Sequence, residues 1–85
     1  MPFISPSATI SDGAVLGKNI AIDPNVNIGS GAVIGDGVII GSGCTLGHGV
    51  KIGNRTRLYP NVVVYHDVVI GEDCVLHANL SLIHI

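Results

Sequence analysis

Tryptophan is absent from this 85-residue chain, and aromatic side chains are limited to one Phe and two Tyr. Aliphatic residues must therefore supply the core, because 47% of the chain is apolar and only 4% aromatic. Basic residues are also few: four Lys and Arg stand against six Asp and Glu, a net charge of −2. A surface that tracks nucleic-acid phosphates needs a basic excess, so that function class is disfavoured. The one basic cluster in the sequence is Lys51, Arg55 and Arg57. Two Cys do not make a disulfide scaffold. No apolar run approaches the roughly 18 residues that argue for a spanning helix. Met1-Pro2-Phe3 lacks the basic start and long apolar stretch of a signal peptide. The length suits one small domain in a soluble fold.

Glycine, by contrast, is abundant, with twelve in the chain, and its placement is periodic. Stepping by six from Ile4 gives Ile10, Leu16, Ile22, Ile28, Ile34, Ile40, Leu46, Ile52, Leu58, Val64, Ile70, Leu76 and Leu82. Every residue in this row, position i, is Ile, Leu or Val. Position i+4 is small to medium and almost wholly apolar, from Ala8 and Ala14 to Val68 and Cys74. Every Gly falls at i+1 or i+3, and Asn or Asp fills most other i+3 slots. Positions i+4 and i lie two apart and face one side of a short strand. Positions i+1 to i+3 then turn a corner, where Gly, Asn and Asp reach positive φ at low cost. Bulky residues at i+1, such as Tyr59 and Tyr65, are not expected to serve such a corner. A helical period would scatter the i row around its circumference.

This pattern resembles the hexapeptide-repeat family, and the resemblance implies its fold. That fold is an all-β, left-handed parallel β-helix with three hexads per coil, here about four coils over residues 1–79. The handedness is implied by the family alone, since parallel crossovers otherwise favour the right hand.

The stretch RLYPNVVVYHDVVIGEDCVLHA, residues 57–78, departs from the plain repeat. It resembles UDP-3-O-acylglucosamine N-acyltransferases, which carry a Tyr-His-acidic triplet followed by an Ile-Gly-x-x-Cys hexad. Tyr65-His66-Asp67 and Ile70-Gly71-Glu72-Asp73-Cys74 match those motifs. The opening ISPSATI is similar to the first coil of that family's β-helix. The resemblance implies a cytoplasmic homotrimer in lipid A biosynthesis. Such an enzyme moves a 3-hydroxyacyl chain from acyl carrier protein to the 2-amine of UDP-3-O-acylglucosamine, without metal or resident cofactor. It also implies an N-terminal uridine-binding domain, and a catalytic His several coils after the Tyr-His motif. Neither is found in residues 1–85, so the chain is expected to be an inactive fragment with no catalytic, cofactor-binding or metal-binding residue of its own. The alternatives are another hexapeptide acyltransferase, such as the UDP-N-acetylglucosamine O-acyltransferase of that pathway, or a non-catalytic β-helix. An ice-binding face would need a Thr ladder at i+5, but that row is half apolar, which suits trimer packing.

His48 and His66 are both i+2 residues and are expected to stack at one corner as exposed imidazoles rather than as a metal or catalytic site. Carbonic anhydrases of γ type share the fold but need a paired-His arrangement this sequence lacks. His77, at i+1, is expected to be structural. Cys44 and Cys74 both fall at the inward i+4 position on different faces, as free thiols. Lys51, Arg55 and Arg57 project outward on consecutive hexads, as a solvated face or a docking surface for the acidic carrier. The glycine pairs of GSGAVIG and GDGVIIG are corners rather than a nucleotide loop, since no helix follows. The tail Leu80–Ile85 is expected to be non-native. LSLIHI is the translation of CTG TCT CTT ATA CAC ATC, a transposon end used as a sequencing adapter. It also places Ile83 at i+1 and Ile85 at i+3, slots that hold no other Ile.

Overall fold

The structure is a computed structural model that describes residues 3–79 together with Ser81 and Leu82. Each hexad yields one two-residue strand. In chain order these are β1 (Phe3–Ile4), β2 (Thr9–Ile10), β3 (Val15–Leu16), β4 (Ala21–Ile22), β5 (Asn27–Ile28), β6 (Val33–Ile34), β7 (Ile39–Ile40), β8 (Thr45–Leu46), β9 (Lys51–Ile52), β10 (Arg57–Leu58), β11 (Val63–Val64), β12 (Val69–Ile70), β13 (Val75–Leu76) and β14 (Ser81–Leu82). Every third strand pairs, always in parallel, so the chain winds a three-sided solenoid. Sheet A is β1-β4-β7-β10-β13, sheet B is β2-β5-β8-β11-β14 and sheet C is β3-β6-β9-β12. The register is an unbroken step of eighteen residues: Leu16 pairs with Ile34 and Ile34 with Ile52. The architecture is an all-β parallel solenoid of about four turns, consistent with the left-handed β-helix expected from the repeat.

Both inward rows are buried through the middle coils, while Ile4 at the first strand is 42% exposed. Ile22, Val38, Ile40, Cys44 and Val50 are fully enclosed, and so are Val26, Ala32 and Val62. Each enclosed Ile or Val contributes about 1.5–3 kcal/mol by leaving water. Thr56 is the one polar residue in the middle of the i+4 row, and it too is fully buried. Its hydroxyl donates to Gly71 O at 2.7 Å and accepts from Cys74 N at 3.3 Å, so no polar atom is stranded. Cys44 and Cys74 are unpaired, on sheets B and A respectively, as expected. Burial pushes the Cys44 thiol up, and its Sγ donates to Tyr59 O at 3.1 Å.

The corners divide their labour differently from the expectation. Among the described residues, positive φ occurs only at i+3: Gly13, Asn19, Asn25, Gly31, Gly37, Gly43, Gly49, Arg55, Asn61, Asp67, Asp73 and Asn79. At i+1, Gly17, Gly29, Gly35, Gly41, Gly47 and Gly53 serve close approach between coils instead. A Cβ on Gly53 would lie 2.5 Å from Gly71 C and 2.6 Å from Glu72 N. Tyr59 and Tyr65 therefore do head ordinary corners, because the left-handed residue in each is Asn61 or Asp67. The tail residues Ile83 and Ile85 lie outside the described ones, as does residue 80. Ser81 and Leu82 pair with Val63 and Val64 of β11.

Candidate functional site

The three cations that cluster in sequence do not form one patch. Lys51 opens β9 on sheet C and Arg57 opens β10 on sheet A. Arg55 sits at the corner between them, where it is consumed by carboxylates. Its Nε donates to Asp73 Oδ1 at 2.8 Å and its NH2 to Asp73 Oδ2 at 3.1 Å, with Glu72 Oε1 at 3.4 Å. These contacts, the hydrogen bond foremost, lower the Asp73 carboxyl and raise the Arg55 guanidinium. Adjacent hexads lie on different sheets of a triangular coil, so neighbours in sequence diverge in space. A broad basic docking face is therefore not what these residues make.

Residues eighteen apart do converge. His48 and His66 occupy one column at the corner between sheets B and C, both exposed. Asp67 N donates to His48 O at 2.9 Å, which ties the two coils together. Below them the column continues to Ser30, whose Oγ lies 2.9 Å from His48 Nδ1. The Ser30 partner was not anticipated, although counting back eighteen residues from His48 finds it. A hydroxyl–imidazole pair can pass a proton, but no carboxylate orients this one and it stands in solvent. Among the described residues no three metal-ligating side chains converge, and no pocket opens.

A third grouping crosses from sheet to corner. Arg57 Cζ lies 4.7 Å from the centre of the Tyr59 ring. His77, one coil on, leans against the same ring at 6.0 Å between centroids. The outward residues also segregate by face. Sheet A shows Phe3, Ile39 and Val75 to solvent and sheet C shows Val15, Val33 and Val69. Sheet B shows Thr9, Asn27, Thr45 and Ser81, with Val63 half-buried among them.

Comparison with known proteins places this geometry. The pattern described as bacterial transferase hexapeptide (six repeats) matches residues 13–48 and 49–83. The chain belongs to the bacterial transferase hexapeptide family. Among solved structures, PerB from Caulobacter crescentus, in complex with CoA and GDP-perosamine, is similar at 26% identity with a TM-score of 0.56. That similarity covers 96% of this chain and 51% of PerB. The acetyltransferase domain of PglB from Neisseria gonorrhoeae FA1090 is similar at 20% identity with a TM-score of 0.45, over 95% of this chain and 53% of that one. The chain thus spans about half the length of the solved hexapeptide structures it matches. A comparison with curated proteins finds no match. Among the described residues no helix is long and apolar enough to cross a membrane.

Proposed function

We propose that these coils are part of a UDP-3-O-acylglucosamine N-acyltransferase of lipid A biosynthesis. The observation that carries this reading is the run Tyr65-His66-Asp67 followed by Ile70-Gly71-Glu72-Asp73-Cys74, set in an uninterrupted hexapeptide solenoid. In the reaction the sugar 2-amine attacks the thioester carbonyl of a 3-hydroxyacyl carrier protein. A C–N bond forms, the C–S bond breaks, and the thiol of the carrier leaves. The amine proton passes to a His that the resemblance places at an i+2 corner several coils beyond the Tyr-His motif. The whole enzyme would add an N-terminal uridine-binding domain, work in the cytoplasm and use no metal. It would be a homotrimer, a reading supported by the apolar outward residues of sheets A and C beside the polar sheet B.

A second reading has its own support. The likeness to PerB favours transfer of an acetyl group from CoA to the amine of a nucleotide sugar.

The gene should be sequenced through both ends of this stretch in an independent library, and its whole product expressed. That product should form the amide when given 3-hydroxyacyl carrier protein and UDP-3-O-acylglucosamine, and should ignore acetyl-CoA. Acetylation of a nucleotide amino sugar with no hydroxyacyl transfer would install the second reading. Residues 1–85 alone should transfer neither group.

A further inference from the structure

We propose that Arg57, Tyr59 and His77 form a phosphate-binding site on the outer edge of sheet A. The first ground is the state of Arg57. Its guanidinium lies over the Tyr59 ring at 4.7 Å. A guanidinium held over a ring face keeps its N–H donors for a ligand. The second ground is the lack of competition for that edge. Arg57 pairs in the ladder with Ile39 and Val75, both apolar and exposed. Among the described residues the ion pairs belong to Arg55, with Asp73 and Glu72, and none to Arg57. Arg55 is thus neutralised by two carboxylates while Arg57 is braced by a ring.

The third ground is the company it keeps. The His77 ring lies tilted beside the same ring, 6.0 Å between centroids, and Tyr59 is itself 37% exposed. Guanidinium and imidazole thus both lie around one phenol ring, and each of the three side chains carries a donor. That set suits an anion with three or four oxygens better than a planar carboxylate with two. The platform is anchored from within, because Tyr59 N donates to Leu76 O at 2.9 Å and Tyr59 O accepts from the buried Cys44 Sγ. Lys51 lies on another sheet, so recognition comes from local geometry and not from a basic field.

Phosphate chemistry could reach this edge from a nucleoside diphosphate or from a phosphopantetheine arm. Titration of the full chain with inorganic pyrophosphate, UDP and phosphopantetheine, followed by NMR, separates them. Saturable movement is expected at the Arg57 Nε–H and the His77 ring, with His48 and His66 unmoved. Acetate at equal ionic strength should bind at least about tenfold more weakly. Arg57→Lys keeps the charge but loses the stacked fork, and should weaken binding at least about tenfold. Tyr59→Leu should weaken it too, with folding checked by circular dichroism. Tighter binding of UDP or of phosphopantetheine assigns the source, and either result supports the site. No saturable movement up to about 10 mM ligand overturns it. So does parallel movement of His48 and His66, or unchanged affinity in Arg57→Lys. The site does not rest on the acyl-transfer reading, because the titration reads binding alone.

Discussion

Thr56 shows how little room a single residue has in this core. Its hydroxyl satisfies Gly71 O and Cys74 N, two backbone groups of the next coil. Thr56→Val keeps the shape and strands both, so it should cost about 1–3 kcal/mol in urea unfolding. An unchanged midpoint would mean that water reaches those groups. Arg55 is a different case, at φ 59 and in full solvent. Because its partner Asp73 has a lowered carboxyl, the pair stabilises the fold above the ordinary carboxylate range, about 3.9. That stabilisation is lost as pH falls through the lowered value. The raised Arg55 adds no titration at accessible pH. Asp73→Asn should therefore flatten the acid limb of a stability–pH curve, slightly at low salt and not at all at high salt. An equal effect in molar salt would contradict a screened surface pair.

The strand and the corner were legible to different degrees. The i and i+4 rows could be read directly, since only side chains that face the core every sixth residue leave such a period. The corner was misread because Gly serves two purposes there. At i+3 it tolerates positive φ, a role Asn61 and Asp67 share. At i+1 it lets one coil lie on the next, a constraint invisible until the coil above is in place. These roles separate by mutation. Gly53→Ala drives a Cβ against the backbone of Gly71 and Glu72 and should cost about 1–3 kcal/mol. Gly31→Asn, at φ 71 with His48 Cε1 at 3.6 Å as nearest neighbour, should be far milder. Equal losses in thermal unfolding would show that one constraint governs both positions.

At the scale of the whole molecule, the step of eighteen decides what can meet. It dispersed Lys51, Arg55 and Arg57, three cations within seven positions, over two sheets and a corner. It also brought Ser30 to His48 and His77 to Tyr59, pairs that sequence proximity hides. The candidate site was therefore less legible than the fold, since its contacts follow coil height and rotamer rather than spacing alone. The whole account stands on the register that sets this step. Ile39 and Ile40 are neighbours in β7, one 39% exposed and the other fully enclosed. Ile40→Asp would bury an unpaired carboxylate and should cost more than about 5 kcal/mol, comparable with the whole stability of a small domain. Ile39→Asp adds a charge to the outer face of sheet A, where it can weaken packing between copies but leaves the core of the coil intact. Circular dichroism of the two variants under identical conditions is the most direct test. The account predicts an unfolded spectrum for Ile40→Asp and an intact β spectrum for Ile39→Asp, and the reverse pattern, or two intact spectra, would contradict it.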